Sequence, residues 1–296
     1  MHFVTLSAVL ALCLGRSFAS PTLGGLAPRA TPTVYLCGDS TMAKGGAGDG
    51  STDGWGQYLG AYTTVTVVNK AIGGRSARSY WDEGRFSTVA GLVKAGDIVV
   101  IEFGHNDGGS PTSADNGRSD CPGDGEQTCK SSSTGATVYT FVHYVIAAAK
   151  LMTAKGVTVI LSSQTPNNEW EGGVYGAAPS RFVGYDITAK NNLASSSVTF
   201  VDHFQAVSKS KFRLSLFLHS SSHILDLRLI ITDLNYIVYA KLGSSATNAL
   251  YPKDHTHTSP TGAKLSAEAF TQAIYQAMNG TTSLKPYIIA RPPIVY

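Results

Sequence analysis

The chain has 296 residues, 43% of them hydrophobic and 15% charged, with 31 Gly and a formal net charge of +3. These are the proportions of one good-sized globular domain or at most two small ones. The apolar content excludes disorder, no fixed repeat suggests a solenoid, and 12 Pro without a Gly period exclude collagen. The excess cations are few and scattered, so they cannot neutralise several phosphates together, and nucleic acid is not an expected partner.

The N-terminus has the layout of a secretory signal peptide: an apolar run from Phe3 to Leu14, then Arg16 and the small stretch Ser17-Phe18-Ala19-Ser20. Cleavage is expected after Ala19, leaving residues 20–32 as a short linker; a buried N-terminal helix is the alternative. The run is too short to span a bilayer, and no later segment offers about 20 uncharged apolar residues. An exported, extracellular protein with no membrane partner is therefore expected.

Short β-branched runs follow at Thr33 to Cys37, Val65 to Val68, Ile98 to Phe103, Val157 to Ser162 and Val198 to Val201. Nearly continuous apolar strands of this kind want cover on both faces. Candidate helices lie between and after them. Val138 to Lys155 is rich in Ala and ends before Gly156, and Pro260 to Met278 has Ser259 to cap it and Pro260 for its first turn. The alternation predicts a single α/β/α sandwich with a mostly parallel sheet, whose ligands gather at the carboxyl ends of the strands.

Of four cysteines, Cys13 leaves with the signal peptide and Cys37 ends an apolar run, where a small buried thiol is the ordinary role. Cys121 and Cys129 bracket a polar loop and should pair in an oxidising compartment, contributing roughly 2–3 kcal/mol. A zinc site there lacks a second Cys or His pair at matching spacing. The acceptor sequon Asn279-Gly280-Thr281 fits export and glycosylation. The Gly-rich loop Gly45 to Gly56 lacks the Gly-Lys-Ser/Thr terminus of a phosphate cradle and reads as a flexible surface loop.

Four short blocks sit at strand ends or before the last helix. Gly38-Asp39-Ser40-Thr41 carries a serine to the carboxyl edge of the first strand. Gly73-Gly74-Arg75-Ser76 lets backbone N–H groups approach a ligand, and Gly104-His105-Asn106-Asp107 offers a neutral amide donor. Each could be turn chemistry alone. In Asp254-His255-Thr256-His257 the carboxylate can hold the imidazole Nδ1 and leave Nε2 free to take a proton from a serine. Metal ligation by Asp254, His255 and His257 is the competing reading. Together the blocks supply the parts needed for acyl transfer.

These four blocks resemble those of the GDSL-type, or SGNH, hydrolases. Longer strings, among them Tyr35 to Lys44, Gly74 to Tyr80, Glu102 to Ser110, Leu161 to Asn168 and Asp254 to Pro260, are similar to those of the fungal rhamnogalacturonan acetylesterases over roughly residues 33–205 and 239–284. The resemblance implies a flavodoxin-like sandwich around a five-stranded parallel sheet, spanning residues 33–284. It implies Ser40 as nucleophile, His257 as general base and then acid, and Asp254 as the group that orients His257. It further implies an oxyanion hole made by the Ser40 and Gly74 N–H groups and the Asn106 side chain. No metal or organic cofactor is expected. The implied activity is that of a monomeric serine esterase acting on an acetylated, acidic polysaccharide.

Arg75, Arg78 and Arg85 lie near the second block and could meet galacturonate carboxylates, or pair instead with Asp82 and Glu83. Trp170 and Tyr175 could stack on sugar rings. Two departures from the family pattern stand out. The tail from Asn279 to Tyr296, divergent over residues 285–296, lacks a second cysteine pair, and Ser210 to Val238 has no counterpart. That stretch fits a translated, unspliced intron: Ser210-Lys211 can be AGT-AAA with a GTAA donor, Thr232-Asp233 can be ACT-GAC with a CTGAC branch site, and Ile237-Val238 can be ATA-GTN with a TAG acceptor. Excision would join Lys209 through one isoleucine to Tyr239 and give one amphipathic segment ending at Gly243. A genuine inserted lid is the alternative.

Overall fold

A computed structural model of the protein describes residues 30–208 and 238–289. The expected signal peptide, nearly all of the expected linker and of residues 210–238, and the end of the tail lie outside the described residues. Among the described residues the strands are β1 Thr33–Gly38, β2 Thr66–Asn69, β3 Ile98–Glu102, β4 Thr128–Lys130, β5 Thr137–Tyr139, β6 Thr158–Ser162 and β7 Val198–Val201. The α-helices among them are α1 Ala77–Asp82, α2 Arg85–Leu92, α3 Pro111–Ala114, α4 Phe141–Thr153, α5 Arg181–Leu193, α6 His203–Ser208, α7 Val238–Asn248 and α8 Pro260–Gln276. Five strands form one parallel sheet in the order β2-β1-β3-β6-β7. The expected three-layer sandwich is what the chain forms.

The side-chain period of two sends alternate residues of each strand to opposite faces. Val34, Leu36, Ile98, Val100 and Ile160 pack with Trp55, Phe270 and Ile274 on one side. Cys37, Val99, Ile101, Val159 and Leu161 pack with Phe86, Phe141 and Val145 on the other. Helices α1, α2, α4 and α5 cover this second face, while α6, α7 and α8 with the short 3-10 turns Trp55–Gln57 and Leu59–Tyr62 cover the first. Both faces are buried, which is why these strands read as continuous apolar runs.

The expected long helix from Val138 instead begins at Phe141. Thr137, Val138 and Tyr139 form β5 and pair antiparallel with β4, Cys129 opposite Val138. The Thr140 hydroxyl then caps α4 by accepting from the His143 N–H at 3.1 Å. Cys121 and Cys129 are disulfide-bonded, and a bridge between Cys121 and Thr140 ties this hairpin to the start of α4. Helix α8 is capped as expected, with Ser259 Oγ accepting from Gly262 N–H at 3.3 Å, and ends in a left-handed Ala277. The packed chain also extends beyond Leu284: Ile288 pairs with Thr63, and the Ile289 N–H donates to the Tyr62 carbonyl. The helical α7 segment kinks at Gly243, whose φ of 77° and ψ of 174° are non-helical and favour glycine, and resumes to Asn248 rather than ending there as expected.

A buried polar hub crosses from the sheet to the α6–α8 layer. Glu102, at the end of β3, accepts from Trp55 Nε1 at 2.7 Å and from Ser162 Oγ at 2.5 Å, and its Oε2 lies 2.9 Å from His203 Nδ1. The other ring nitrogen of His203 lies 2.9 Å from the Ser266 carbonyl. The side chains of Glu102 and His203 are 1% and 0% exposed, so removing one partner strands the other without water. Glu102→Ala should lower the unfolding free energy by about 3–5 kcal/mol in urea titration. A loss under 1 kcal/mol would show that the hub is not a structural tie.

Candidate active site

In a parallel sheet whose first three strands lie β2-β1-β3, the chain leaves β1 toward opposite neighbours, and the crevice at their carboxyl ends is the place for a ligand. Ser40 follows β1 there. Asp39 Oδ1 accepts from both the Thr41 N–H and the Thr41 hydroxyl at 2.8 Å, and the Asp39 carbonyl accepts from the N–H groups of Met42 and Ala43. This tight turn stops the strand and carries Ser40 at its bend. Burial pushes the Asp39 carboxyl up, against the opposing influence of His105 and the Thr41 donors.

Ser40 Oγ lies 2.8 Å from His257 Nε2, and His257 Nδ1 lies 2.7 Å from Asp254 Oδ2. Asp254 Oδ1 accepts from the Thr256 and His257 N–H groups, both at 2.7 Å. Partial desolvation pushes the Asp254 carboxyl up, but the hydrogen bonds from His257 and Thr256 outweigh it and leave the group below the usual carboxylate range. An ionised Asp254 accepting from Nδ1–H leaves the Nε2 lone pair facing the Ser40 hydroxyl.

The loop bearing His257 is held from two sides. The Asn168 N–H donates to the His255 carbonyl at 2.7 Å, and the Thr256 hydroxyl donates to Asn167 Oδ1 at 3.0 Å. From the other side the Asp53 N–H donates to the Thr258 carbonyl at 2.9 Å. The Gly-rich loop expected to be merely flexible thus ends in a packed brace. Asp53 also gathers Gly45 N–H, Gly54 N–H and the Tyr58 hydroxyl, and Gly54 and Gly56 are buried.

The two other blocks meet at the same edge. A Cβ on Gly73 would stand 3.7 Å from Ser40 Cβ, which places the β2 turn beside Ser40. Gly74 has φ +74°, the left-handed conformation that favours glycine. Asn106 Nδ2 donates to the Arg75 carbonyl at 3.1 Å, joining the β3 turn to the β2 turn. Asp107 ties the same two segments: its Oδ1 accepts from Ala77 N–H at 2.7 Å, at the first turn of α1, and its Oδ2 from Gly104 N–H at 2.9 Å. Among the described residues neither the Ser40 nor the Gly74 N–H is spent on a protein acceptor.

The arginines named from sequence are occupied to different degrees. Arg78 is buried and bidentate to Asp115 at 2.8 and 2.9 Å, with a further bond to the Ser119 carbonyl at 2.8 Å. Arg75 pairs with Glu83 at 3.1 Å, donates to the Gly73 carbonyl, and keeps a side chain 34% exposed. Arg85 also pairs with Glu83. Trp170 donates its indole N–H to the Tyr239 carbonyl at 2.8 Å and packs against Tyr175 at a ring distance of 5.3 Å. His255 stands outside the Ser40 chain, with Nδ1 3.6 Å from Glu171. Cys37 is a free, fully buried thiol, pushed up to about 12 by desolvation.

The family model for GDSL-like Lipase/Acylhydrolase matches residues 34–270. The chain belongs to that family. It is 44% identical over 261 residues to a rhamnogalacturonan acetylesterase of Emericella nidulans, covering 88% of this chain and 91% of that one. It is also 39% identical over 77 residues to a probable rhamnogalacturonan acetylesterase of Bacillus subtilis, covering 25% and 35% of the two chains. An acetyl xylan esterase structure from Geobacillus stearothermophilus shares the fold, with a TM-score of 0.50 at 15% identity over 88% of this chain and 97% of that one. The chain is accordingly a carboxylic ester hydrolase with an α/β fold.

Sequence reasoning missed two parts of this GDSL-like hydrolase's site. One is Arg118, whose Nη1 donates to Asn106 Oδ1 at 3.2 Å; it lies in a loop with no strand or cap to mark it. The other is Asp120, directly before Cys121. Both carboxylate oxygens of Asp120 are buried with no hydrogen-bond partner among the described residues, and beyond burial itself Asp107 is the charged neighbour that most raises its carboxyl. Protonation within the pair removes their mutual repulsion.

Burial raises both groups, Asp107 to about 7 and Asp120 well above the ordinary carboxylate range, with mutual repulsion adding to the rise in Asp120. The folded chain therefore holds a proton that the unfolded chain has already released. Stability from the pair is full below the unfolded value of about 3.9 and is lost as pH rises toward neutrality. Asp120→Asn keeps a donor for Asp107 and removes the second charge. Between pH 5 and pH 8 the urea midpoint should fall less in this variant than in wild type, and an equal fall in both would refute a proton retained by the pair.

Proposed function

We propose that this hydrolase is a secreted serine esterase that removes acetyl groups from rhamnogalacturonan through an acyl-enzyme. The observation that carries the mechanism is the continuous chain from Asp254 through His257 to Ser40, at 2.7 and 2.8 Å. Close similarity to the Emericella nidulans enzyme over nearly the whole chain supports the substrate.

In this reading His257 Nε2 takes the Ser40 proton as Oγ attacks the acetyl carbonyl, and Asp254 steadies the imidazolium that forms. The Ser40 and Gly74 N–H groups and Asn106 Nδ2 receive the oxyanion, each such donor being worth on the order of 10²–10³ in rate. Collapse of the tetrahedral species expels the sugar alkoxide, which takes its proton from His257. Water, deprotonated by the same imidazole, then cleaves the acetyl-serine and releases acetate.

For a galacturonate carboxylate, Arg75 keeps an accessible edge, whereas Arg78 is already saturated by Asp115 and Ser119. Trp170 is half-buried with its N–H spent, so a sugar would meet only the open part of its ring. Asn279 is exposed in the turn after α8, and its Oδ1 alone is used, by the Asp202 N–H at 2.9 Å. Glycosylation through Nδ2 is compatible with that bond. Export rests on the N-terminal pattern, which lies outside the described residues. Among the described residues no helix is long and apolar enough to cross a membrane.

The stretch 210–238 lies outside the described residues except for Val238, which opens α7. On its two sides Ser208 and Tyr239 are both buried, and neighbouring ring groups grip their carbonyls: Tyr175 Oη donates to Ser208 and Trp170 Nε1 to Tyr239, each at 2.8 Å. Shared cover of this kind supports one helix interrupted at the level of the gene. Replacing residues 210–238 by one isoleucine should raise soluble yield and specific acetate release relative to the full chain. Equal specific activity of the two forms would count against an intron.

The deciding measurement for the activity is acetate release from acetylated rhamnogalacturonan. Ser40→Ala should lower the rate by on the order of 10³-fold or more, and wild type indistinguishable from this variant would leave the esterase reading without support.

A further inference from the structure

A carboxamide is a treacherous oxyanion donor, because a half-turn about its last bond swaps the NH₂ for a carbonyl oxygen that would repel the developing charge. Two contacts decide which way Asn106 faces. Its Nδ2 spends one proton on the Arg75 carbonyl at 3.1 Å, leaving the second for a ligand. Its Oδ1 accepts from Arg118 Nη1 at 3.2 Å. A guanidinium has donors only, so the atom facing it must be the oxygen. The same Nη1 reaches the Gly74 carbonyl at 3.5 Å, touching a second residue of the hole.

Arg118 differs from the other arginines near the site in its charge balance. Arg75 and Arg85 pair with Glu83, and Arg78 pairs with Asp115 and Asp82. No carboxylate among the described residues pairs with Arg118. Its backbone is nevertheless firmly held: Asn116 Oδ1 accepts from the Arg118 N–H at 2.9 Å and the Ser119 N–H at 3.0 Å, and Asp115 Oδ1 accepts from the Gly117 N–H at 2.8 Å. Arg78, only 7% exposed at its side chain, clamps this loop from beneath through Asp115 and the Ser119 carbonyl.

We propose that Arg118 is a positioning residue of the oxyanion hole, acting through the Asn106 amide, and that buried Arg78 holds the loop that presents it. This rests on the assignment of Ser40 and Asn106 above. A strong donor on Oδ1 both removes the flipped rotamer and polarises the amide, so Nδ2–H meets the oxyanion as a better donor. The effect belongs to the transition state, so it should appear in kcat rather than in KM.

The test compares wild type with Arg118→Ala, Arg118→Lys, Asn106→Ala and the Arg118→Ala/Asn106→Ala double variant on 4-nitrophenyl acetate, a neutral ester, and on acetylated rhamnogalacturonan. Arg118→Ala should lose roughly 10- to 100-fold in kcat on both substrates, with KM for the neutral ester changed less than about twofold. Arg118→Lys or added guanidinium ion should restore part of the loss, and the double variant should be no slower than Asn106→Ala alone, as expected when one residue works through the other. Unchanged kcat in Arg118→Ala, losses that multiply in the double variant, or a defect confined to KM for the polymer would each overturn the proposal, the last by making Arg118 a ligand for substrate carboxylate. If Arg118→Ala fails to fold, Arg118→Met, which keeps the aliphatic stem but has no donor, is judged by the same criteria. Ser40→Ala run alongside keeps the two failures distinguishable: wild-type rates in that variant would remove the nucleophile on which the proposal rests, whereas lost activity there with unchanged kcat in Arg118→Ala would overturn the positioning role alone.

Discussion

One 2.8 Å contact joins Ser40 to His257 across 217 residues of sequence, and the rest of the molecule is arranged to make it possible. Neither residue has local reasons to meet the other. Ser40 is placed by a buried strand and the Asp39 turn. His257 is placed by a loop bonded to Asn167 and Asn168 on one side and to Asp53 on the other. A hydrogen bond of this length tolerates errors of only a few tenths of an ångström. The hydrogen bonds that brace both ends therefore fix this contact as well as the stability of the loops.

Electrostatic economy follows the same plan. Two buried pairs tie segments together: Glu102 with His203 beneath the sheet edge, Arg78 with Asp115 under the loop. Desolvated charges are costly alone, so each pair locks two segments that hydrophobic packing would leave free to slide. Asp107 serves twice, bonding the N–H groups of Gly104 and Ala77 and thereby fixing the β3 turn against the start of α1. Gly74 and Asn106 lie beside those two segments, so the buried Asp107 carboxyl fixes their relative placement.

Much of this was legible before any coordinates. Apolar runs buried on both faces announced a parallel sheet, and Ser259-Pro260 announced the start of α8. Other features were hidden because their signals are nonlocal. Val138 has the composition of the helix that follows it, and only pairing with Cys129 draws it into a strand. Arg78 and Arg75 look alike in sequence, three residues apart and near acids. One is buried against Asp115, 37 residues away, and the other remains partly open. Arg118 gave no signal at all, since its partners Asn106 and Gly74 reach it through space.

The sequence by itself determined the layers of the sandwich and the types of residue available at each strand end, because periodicity, capping and turn chemistry act over a few residues. The tertiary structure alone decided which of those residues share a site, which cations are already neutralised, and which way the Asn106 amide faces. Such outcomes depend on distances of about 3 Å between segments far apart in the chain, and no local pattern encodes them.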